Sequence, residues 1–189
     1  MMKNYKSVFL TLVLTGAAFV IGAAEEVKAV PGAALYVYRI TTDADRPEAN
    51  ADPITVVVDK SNGFGYGNLR KDPETNKLFN QDVFMVWKGY IQIPAPGIYT
   101  FSASFLSSGG RWGNIVVFQL NGKDFLSIHH LNKVKLNDSR SVSLAKGSYE
   151  ITVIYKAKGL CHDFTLKYWR KDKPFKKYSV IPSGMLHAE

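Results

Sequence analysis

The sequence predicts an all-β fold, a two-sheet antiparallel β-sandwich formed by a single domain. Residues 99–105 alternate without a break, with Tyr99, Phe101, Ala103 and Phe105 on one face and Thr100, Ser102 and Ser104 on the other. That period of two marks a half-buried strand. The alternation returns at Tyr149, Ile151, Val153 and Tyr155 against Glu150, Thr152 and Lys156, and again at Phe164, Leu166 and Tyr168 around Thr165 and Lys167. Turn residues punctuate these runs, and no stretch carries a sustained helical period.

In chain order, the first segment reads as an export signal. Lys3 and Lys6 precede an apolar stretch over residues 8–21, and small residues Gly22, Ala23 and Ala24 follow. This is the layout that a signal peptidase cuts. The stretch is short for a bilayer span of about 20 residues, and Glu25 and Glu26 follow it directly. The expected organisation is a signal peptide over 1–24, with cleavage after Ala24 or, as a second choice, after Ala29, and a β-sandwich domain over 30–189. Nothing later is apolar enough over a sufficient length to anchor the chain in a membrane. The expected location is therefore secreted, periplasmic or at the cell surface.

Cleavage would leave about 165 residues, enough for one well-buried core. Loss of Lys3 and Lys6 lowers the net charge from +8 to +6. The densest basic cluster is Lys167, Arg170, Lys171, Lys173, Lys176 and Lys177, broken by Asp172. On an exported chain it reads as a solvated face or an attraction to an anionic cell surface, and no nucleic-acid partner is expected. Cys161 is the sole cysteine, so no intramolecular disulfide can form and the fold must rest on its core. A lone thiol in an oxidising compartment is either buried and inert, the favoured reading here, or free to pair between chains.

Further strands are predicted at residues 34–40, 54–58, 83–93, 115–120 and 141–144, all rich in β-branched and aromatic residues. Residues 94–97, Pro-Ala-Pro-Gly, should fold two strands back across a tight turn. Asn121-Gly122 is a hairpin signal. Residues 41–53 and 59–81 are polar and read as long surface loops. On the 83–93 strand, Trp87, Gly89, Ile91 and Ile93 share one face and Lys88, Tyr90 and Gln92 the other. The first set reads as core, with Gly89 leaving room for a large neighbour.

The stretch Val86-Trp87-Lys88-Gly89-Tyr90-Ile91-Gln92-Ile93-Pro94, followed by Gly97-Ile98-Tyr99-Thr100-Phe101, resembles the signature of the protective-antigen-type domain. Further matches follow in the family's order. They are Leu120-Asn121-Gly122, the spaced set Val142, Leu144, Gly147, Tyr149, Ile151, Val153 and Tyr155, then Leu166 with Trp169, and finally Ile181-Pro182-Ser183-Gly184-Met185-Leu186. Leu35-Tyr36-Val37-Tyr38 fits the opening strand. The resemblance spans nearly the whole chain after residue 30. It implies a β-sandwich with ligand-facing loops at one end, of the kind found in adhesins, toxins and glycosidases, often as a carbohydrate-binding module.

Calcium-dependent lectins of that family carry two adjacent aspartates just after the Tyr-x-Phe strand, and the ion they hold coordinates sugar hydroxyls. Here residues 106–114 read Leu-Ser-Ser-Gly-Gly-Arg-Trp-Gly-Asn. The aspartate pair is missing and Arg111 brings a fixed positive charge, so ligand binding without a metal or other cofactor is expected. Ser107, Ser108, Arg111, Trp112 and Asn114 form the candidate site. Trp112 can stack on an apolar sugar face, Arg111 can grip a carboxylate, sulfate or phosphate, and Asn114 can both donate and accept. Residues 158–163 should lie at the same end and bring His162 and Asp163.

Other clusters read as non-functional. Asp43, Asp45, Glu48, Asn50 and Asp52 lack the spacing and glycine of a calcium loop. His129 and His130 point apart on a strand with no third metal ligand. Asn62-Gly63-Phe64-Gly65-Tyr66-Gly67 has no following helix to receive a phosphate. No nucleophile has a base and an orienting acid, so the chain is not expected to be an enzyme. The partner expected is a glycan or similar surface ligand. The alternative is a structural or assembly subunit of a surface appendage or secretion complex, engaging a partner protein.

Overall fold

The computed structural model describes residues 30–60, 64, 73–77, 81–105, 113–130, 137–158, 164–171 and 178–188. The expected export signal and Cys161 lie outside these residues. Among the described residues the fold is all-β: two antiparallel sheets pack face to face, with the four-residue helix α1 (Pro73–Asn76) and a 3-10 turn at Ser183–Met185 between strands.

The larger sheet is centred on β4 (Val83–Ile93), which pairs along its full length with β9 (Gly147–Ala157). Beyond β9 come β6 (Asn114–Leu120) and β7 (Lys123–His130). The opposite edge of β4 is shared. Residues 83–88 pair with β2 (Ala33–Arg39), which in turn pairs with β3 (Thr55–Asp59). Residues 90 and 91 pair with β12 (Leu186–Ala188), which carries β1 (Val30–Pro31). The smaller sheet runs β11 (Ser179–Val180), β10 (Phe164–Arg170), β5 (Gly97–Phe105) and β8 (Asn137–Leu144).

The alternation read in the sequence decides which side chains meet between the sheets. Trp87, Ile91, Ile93, Ile151, Val153 and Tyr155 of the large sheet face Tyr99, Phe101, Ala103, Phe164 and Leu166 of the small one, and all are buried. Trp87 stands at the centre of an aromatic chain. Phe64 and Phe164 meet it edge-on at 5.9 and 6.0 Å, and Tyr155 lies 5.0 Å from Phe164. Its indole Nε1 donates to Asp59 Oδ2 at 2.8 Å, which satisfies the one polar atom of an otherwise apolar side chain.

The β6–β7 turn is as the Asn-Gly pair predicts. Asn121 and Gly122 both have positive φ, 50° and 70°, the conformation that a two-residue hairpin matching the twist of its strands requires. Residues 94–96 behave differently from the sequence expectation of strands folding back beside each other. β4 and β5 do not pair; the turn carries the chain from the large sheet to the small one. Tyr99 Oη donates to the Ala95 carbonyl at 2.7 Å and Arg170 Nη2 donates to the Pro96 carbonyl at 3.1 Å, fastening the crossing.

The outer face of the large sheet is not simply polar. Phe84, Val86, Ile115, Val117 and Ile154 form a second buried apolar cluster with Tyr36, Tyr38 and Ile40 packed against it. Residues 83–87 are apolar at every position, the pattern of a strand covered on both faces, and the segment over residues 41–53 supplies part of that cover.

Candidate functional site

One end of the sandwich gathers the flanks of the predicted loops. Phe105, at the end of β5, is the register partner of Phe164 at the start of β10. Asn114, at the start of β6, faces His130 at the end of β7. Ala157 and Lys158 complete the cluster. Phe105, Asn114, Lys158 and Phe164, the described residues nearest the segments over 106–112 and 159–163, therefore lie at one end. Ser107, Ser108, Arg111, Trp112, His162 and Asp163 lie outside the described residues.

Asn114 is the predicted site residue that is described, and it is fully buried. Its Oδ1 accepts the Lys158 backbone N–H at 2.7 Å, so the amide fastens the last residues of β9 to the first of β6. Its Nδ2 is buried without a hydrogen-bond partner among the described residues. Beside it, Gly113 donates its N–H to the His130 carbonyl at 3.0 Å. Gly113 has φ 110°, and a Cβ there would come 3.2 Å from Lys158 Cδ. Only glycine holds this left-handed approach without strain. His130 is buried and meets Phe105 edge-on at 5.6 Å. The described residues that flank the predicted loops are thus tied to one another by hydrogen bonds.

Sequence reading missed the second structure at this end, in which lysines clamp the 41–53 segment. Lys156 was expected on the outward face of its strand. It does point outward, yet only 3% of it is exposed. Its Nζ donates to the carbonyls of Asp43 and Ala44 at 2.7 and 2.6 Å, and stands 5.8 Å over the Phe84 ring. Burial, followed by repulsion from Lys158, holds the Lys156 ammonium below its ordinary range. Lys158 Nζ pairs with Asp43 Oδ1 at 2.6 Å. Further along, Arg46 pairs with Asp124 at 3.0 Å, and Gln119 Nε2 donates to the other oxygen of that carboxylate at 2.8 Å. Asp43 stays 95% exposed, as read, and also pairs with Lys158, while the carbonyls of Asp43 and Ala44 take Lys156. The signal that could have found the arrangement is the pair Lys156, Lys158 at the end of an apolar strand, matched to an acid-rich loop.

Both carboxylates are held below their ordinary value of 3.8. The Lys158 hydrogen bond and charge do this for Asp43, and the Gln119 hydrogen bond, then Arg46, for Asp124. A depressed folded-state value means that the stabilisation is fully present above pH 3.8 and is lost as pH falls through the folded value. Both pairs are largely exposed, Asp43 by 95%, so the 41–53 segment should loosen only slightly in that acid window, where the Lys156 bonds to backbone carbonyls persist. Amide exchange measured from pH 5 downward should show protection at Ile54 and Ala51 fading first, and Asp43→Asn should remove part of the pH dependence. Equal fading at Val153 and Ile54 would contradict the clamp.

No family model and no curated protein matches the chain. Solved structures do. One is an anti-sigma factor domain-containing protein, at 20% identity and TM-score 0.61 over 89% of this chain and 51% of that one. Another is the Epithelial Adhesin 6 A domain from Candida glabrata in complex with Galb1-3GlcNAc, at 12% identity and TM-score 0.58 over 85% and 88%. A third is the PA14 sugar-binding domain from an RTX adhesin, at 13% identity and TM-score 0.56 over 85% of this chain and all of that domain. The fold is thus the protective-antigen-type, or PA14, sandwich that the Trp87 and Tyr99 motifs predict. The match covers all of the RTX adhesin domain and 88% of the Epithelial Adhesin domain, and the chain spans about half the length of the anti-sigma factor domain-containing protein.

Proposed function

We propose that the chain is a carbohydrate-binding or adhesion module of the secreted or surface-associated kind. Its ligand site is the 107–114 loop, and it works without calcium. The observation that supports this most is the likeness to two solved adhesin domains, over 88% and all of their length, whose descriptions specify a bound Galb1-3GlcNAc in one case and sugar binding in the other. The loop that carries the calcium aspartates in the family's lectins is rebuilt here around Arg111 and Trp112. At its base, Asn114 and His130 are buried, and Gly113 and Asn114 are hydrogen-bonded to His130 and Lys158. The mechanism is shallow recognition: the Trp112 indole stacks on the apolar face of a sugar ring while Arg111, Ser107 and Ser108 bond its polar edge.

The test is a glycan array with neutral and anionic glycans, run with and without a chelator, on the chain and on Trp112→Ala. The expected result is binding that survives chelation and weakens about tenfold or more on loss of the indole, a loss within the ~1–3 kcal/mol that stacking on an aromatic is worth for a nucleobase. Silence across the array sinks the reading. Binding abolished by the chelator sinks its calcium-free part.

A further inference from the structure

The outer face of the large sheet holds a walled cleft that has no part in the loop end. Strand register places Tyr36, Val86, Ile154 and Val117 in one outward row across β2, β4, β9 and β6, and Lys88, Thr152 and Gln119 in a parallel row. The 41–53 segment stands over the sheet, clamped by Lys156, Lys158 and the Arg46–Asp124 pair. Between this segment and the second row lies a cleft of about 380 Å³, within the ~300–1,000 Å³ usual for small-molecule sites. Gln119 and Thr152 are five and six residues along their strands from Asn114 and Lys158, roughly 16–20 Å at about 3.3 Å per residue.

The lining has a distinct chemistry. Val86 and Ile154, both buried, provide an apolar floor, and half-buried Tyr38 stands at its side. Around them are Lys88, Thr152, Glu150 and Gln119 from the sheet, with Arg46 and Glu48 from the segment above. Gln119 spends an amide hydrogen on Asp124, which leaves its Oε1 as an acceptor. Arg46 is already paired with Asp124, so Lys88 faces Glu48 and Glu150 and the cleft offers no net positive charge to an anion. Donors and acceptors alternate about an apolar floor, and the wall that completes the cleft is already fastened in place. Hydroxyls that each donate and accept, around a ring with an apolar C–H face, match such a lining; a uniformly charged or purely apolar ligand does not.

We propose that this cleft is a saccharide site for an uncharged sugar ring, separate from the loop end, and that the chain carries two sugar subsites; the second part of that statement rests on the carbohydrate-binding reading above. The experiment is a 1H–15N NMR titration of the chain with methyl β-D-galactopyranoside, methyl α-D-mannopyranoside and N-acetyl-D-glucosamine at millimolar concentrations, with galacturonate as the anionic comparison. At least one neutral probe should move the amides of Lys88, Gln119 and Thr152 saturably. Thr152→Trp, which fills the cleft, should weaken that response about tenfold or more. Lys88→Ala, at an exposed position where folding is not at stake, should weaken it several-fold. Trp112→Ala should leave it within about twofold.

Shifts confined to Gly113, Asn114 and Lys158 overturn the cleft and leave the loop-end reading standing. Shifts in the cleft alone support it and remove the loop end. Silence at both places removes both. A response that survives Thr152→Trp and Lys88→Ala together, or that prefers galacturonate, overturns the assignment.

Discussion

Trp87→Ala is expected to destabilise the fold by about 3–5 kcal/mol, the cost of emptying a buried aromatic site. At ~2–4 °C per kcal/mol for a chain of this size, the melting temperature should fall on the order of 10 °C. The indole is 1% exposed and joins both sheets. It packs on Phe164 of the small sheet and on Phe64, and it reaches Asp59 at the end of β3. Its removal opens a cavity between the sheets and takes away a donor to a carboxylate. The two contributions separate. Trp87→Phe keeps much of the ring and loses the bond to Asp59, so it should cost about 2 kcal/mol. Thermal and denaturant unfolding of the three proteins measures this. If Trp87→Phe is as damaging as Trp87→Ala, the hydrogen bond and not the packing dominates; if Trp87→Ala melts within a few degrees of the parent, the core assignment fails.

Gly89→Ala should destabilise by about 1–3 kcal/mol, and Gly89→Val by more, against the usual trend for glycine in a strand. Elsewhere in a strand, alanine would improve on glycine by roughly 0.5–1 kcal/mol because it has less backbone entropy to lose. Here a Cβ would come 2.5 Å from the His187 carbonyl oxygen and 3.4 Å from its carbon. Those are backbone atoms and cannot turn aside. β12 must move away, and β1, paired only to β12 among the described strands, moves with it. Leu186, buried against the core, is pulled outward. Hydrogen exchange at residues 186–188 should rise in Gly89→Ala while exchange at Val153 stays slow. An alanine variant as stable as the parent, with β12 still protected, would show that the close approach imposes nothing.

Gly89 also shows where local reading stops. The sequence reading places it among core residues and gives it a large neighbour. The neighbour is a strand's backbone, and it arrives from nearly 100 residues further along the chain. β12 is three residues long, too short to leave a periodic pattern of its own, and it exists because β4 and β1 flank it. β7 was implied by the Asn121-Gly122 turn, yet its boundaries were not legible. A bulge between Phe118 and Gln119 shifts its register and brings Phe125 against Phe101 and Phe118. The Pro94–Gly97 reversal was legible as a reversal. Whether the strands on either side bond edge to edge or stack face to face depends on which sheet each joins, and residues beyond the turn decide that.

The candidate site divides in the same way. Trp112, Arg111 and the missing aspartates are visible in the sequence, because residue type at a motif position carries chemistry. Asn114 was legible as a polar residue at the loop's end. That its amide is spent on the Lys158 backbone was not, since the pairing joins strands 44 residues apart. The outer cleft left no local trace: Lys88, Gln119 and Thr152 sit on three strands, and each alone is an ordinary outward polar residue.

The sequence by itself determined the all-β class, the faces of the main strands and the protective-antigen-type motif. These follow from a period of two and from turn chemistry, both properties of a few neighbouring residues. Tertiary structure alone decided the sheet to which each strand belongs, the burial of Lys156 beneath the 41–53 segment and the cleft that this segment closes. Those features depend on register between distant strands and on carbonyl groups that bind a charge only once the chain has brought them there.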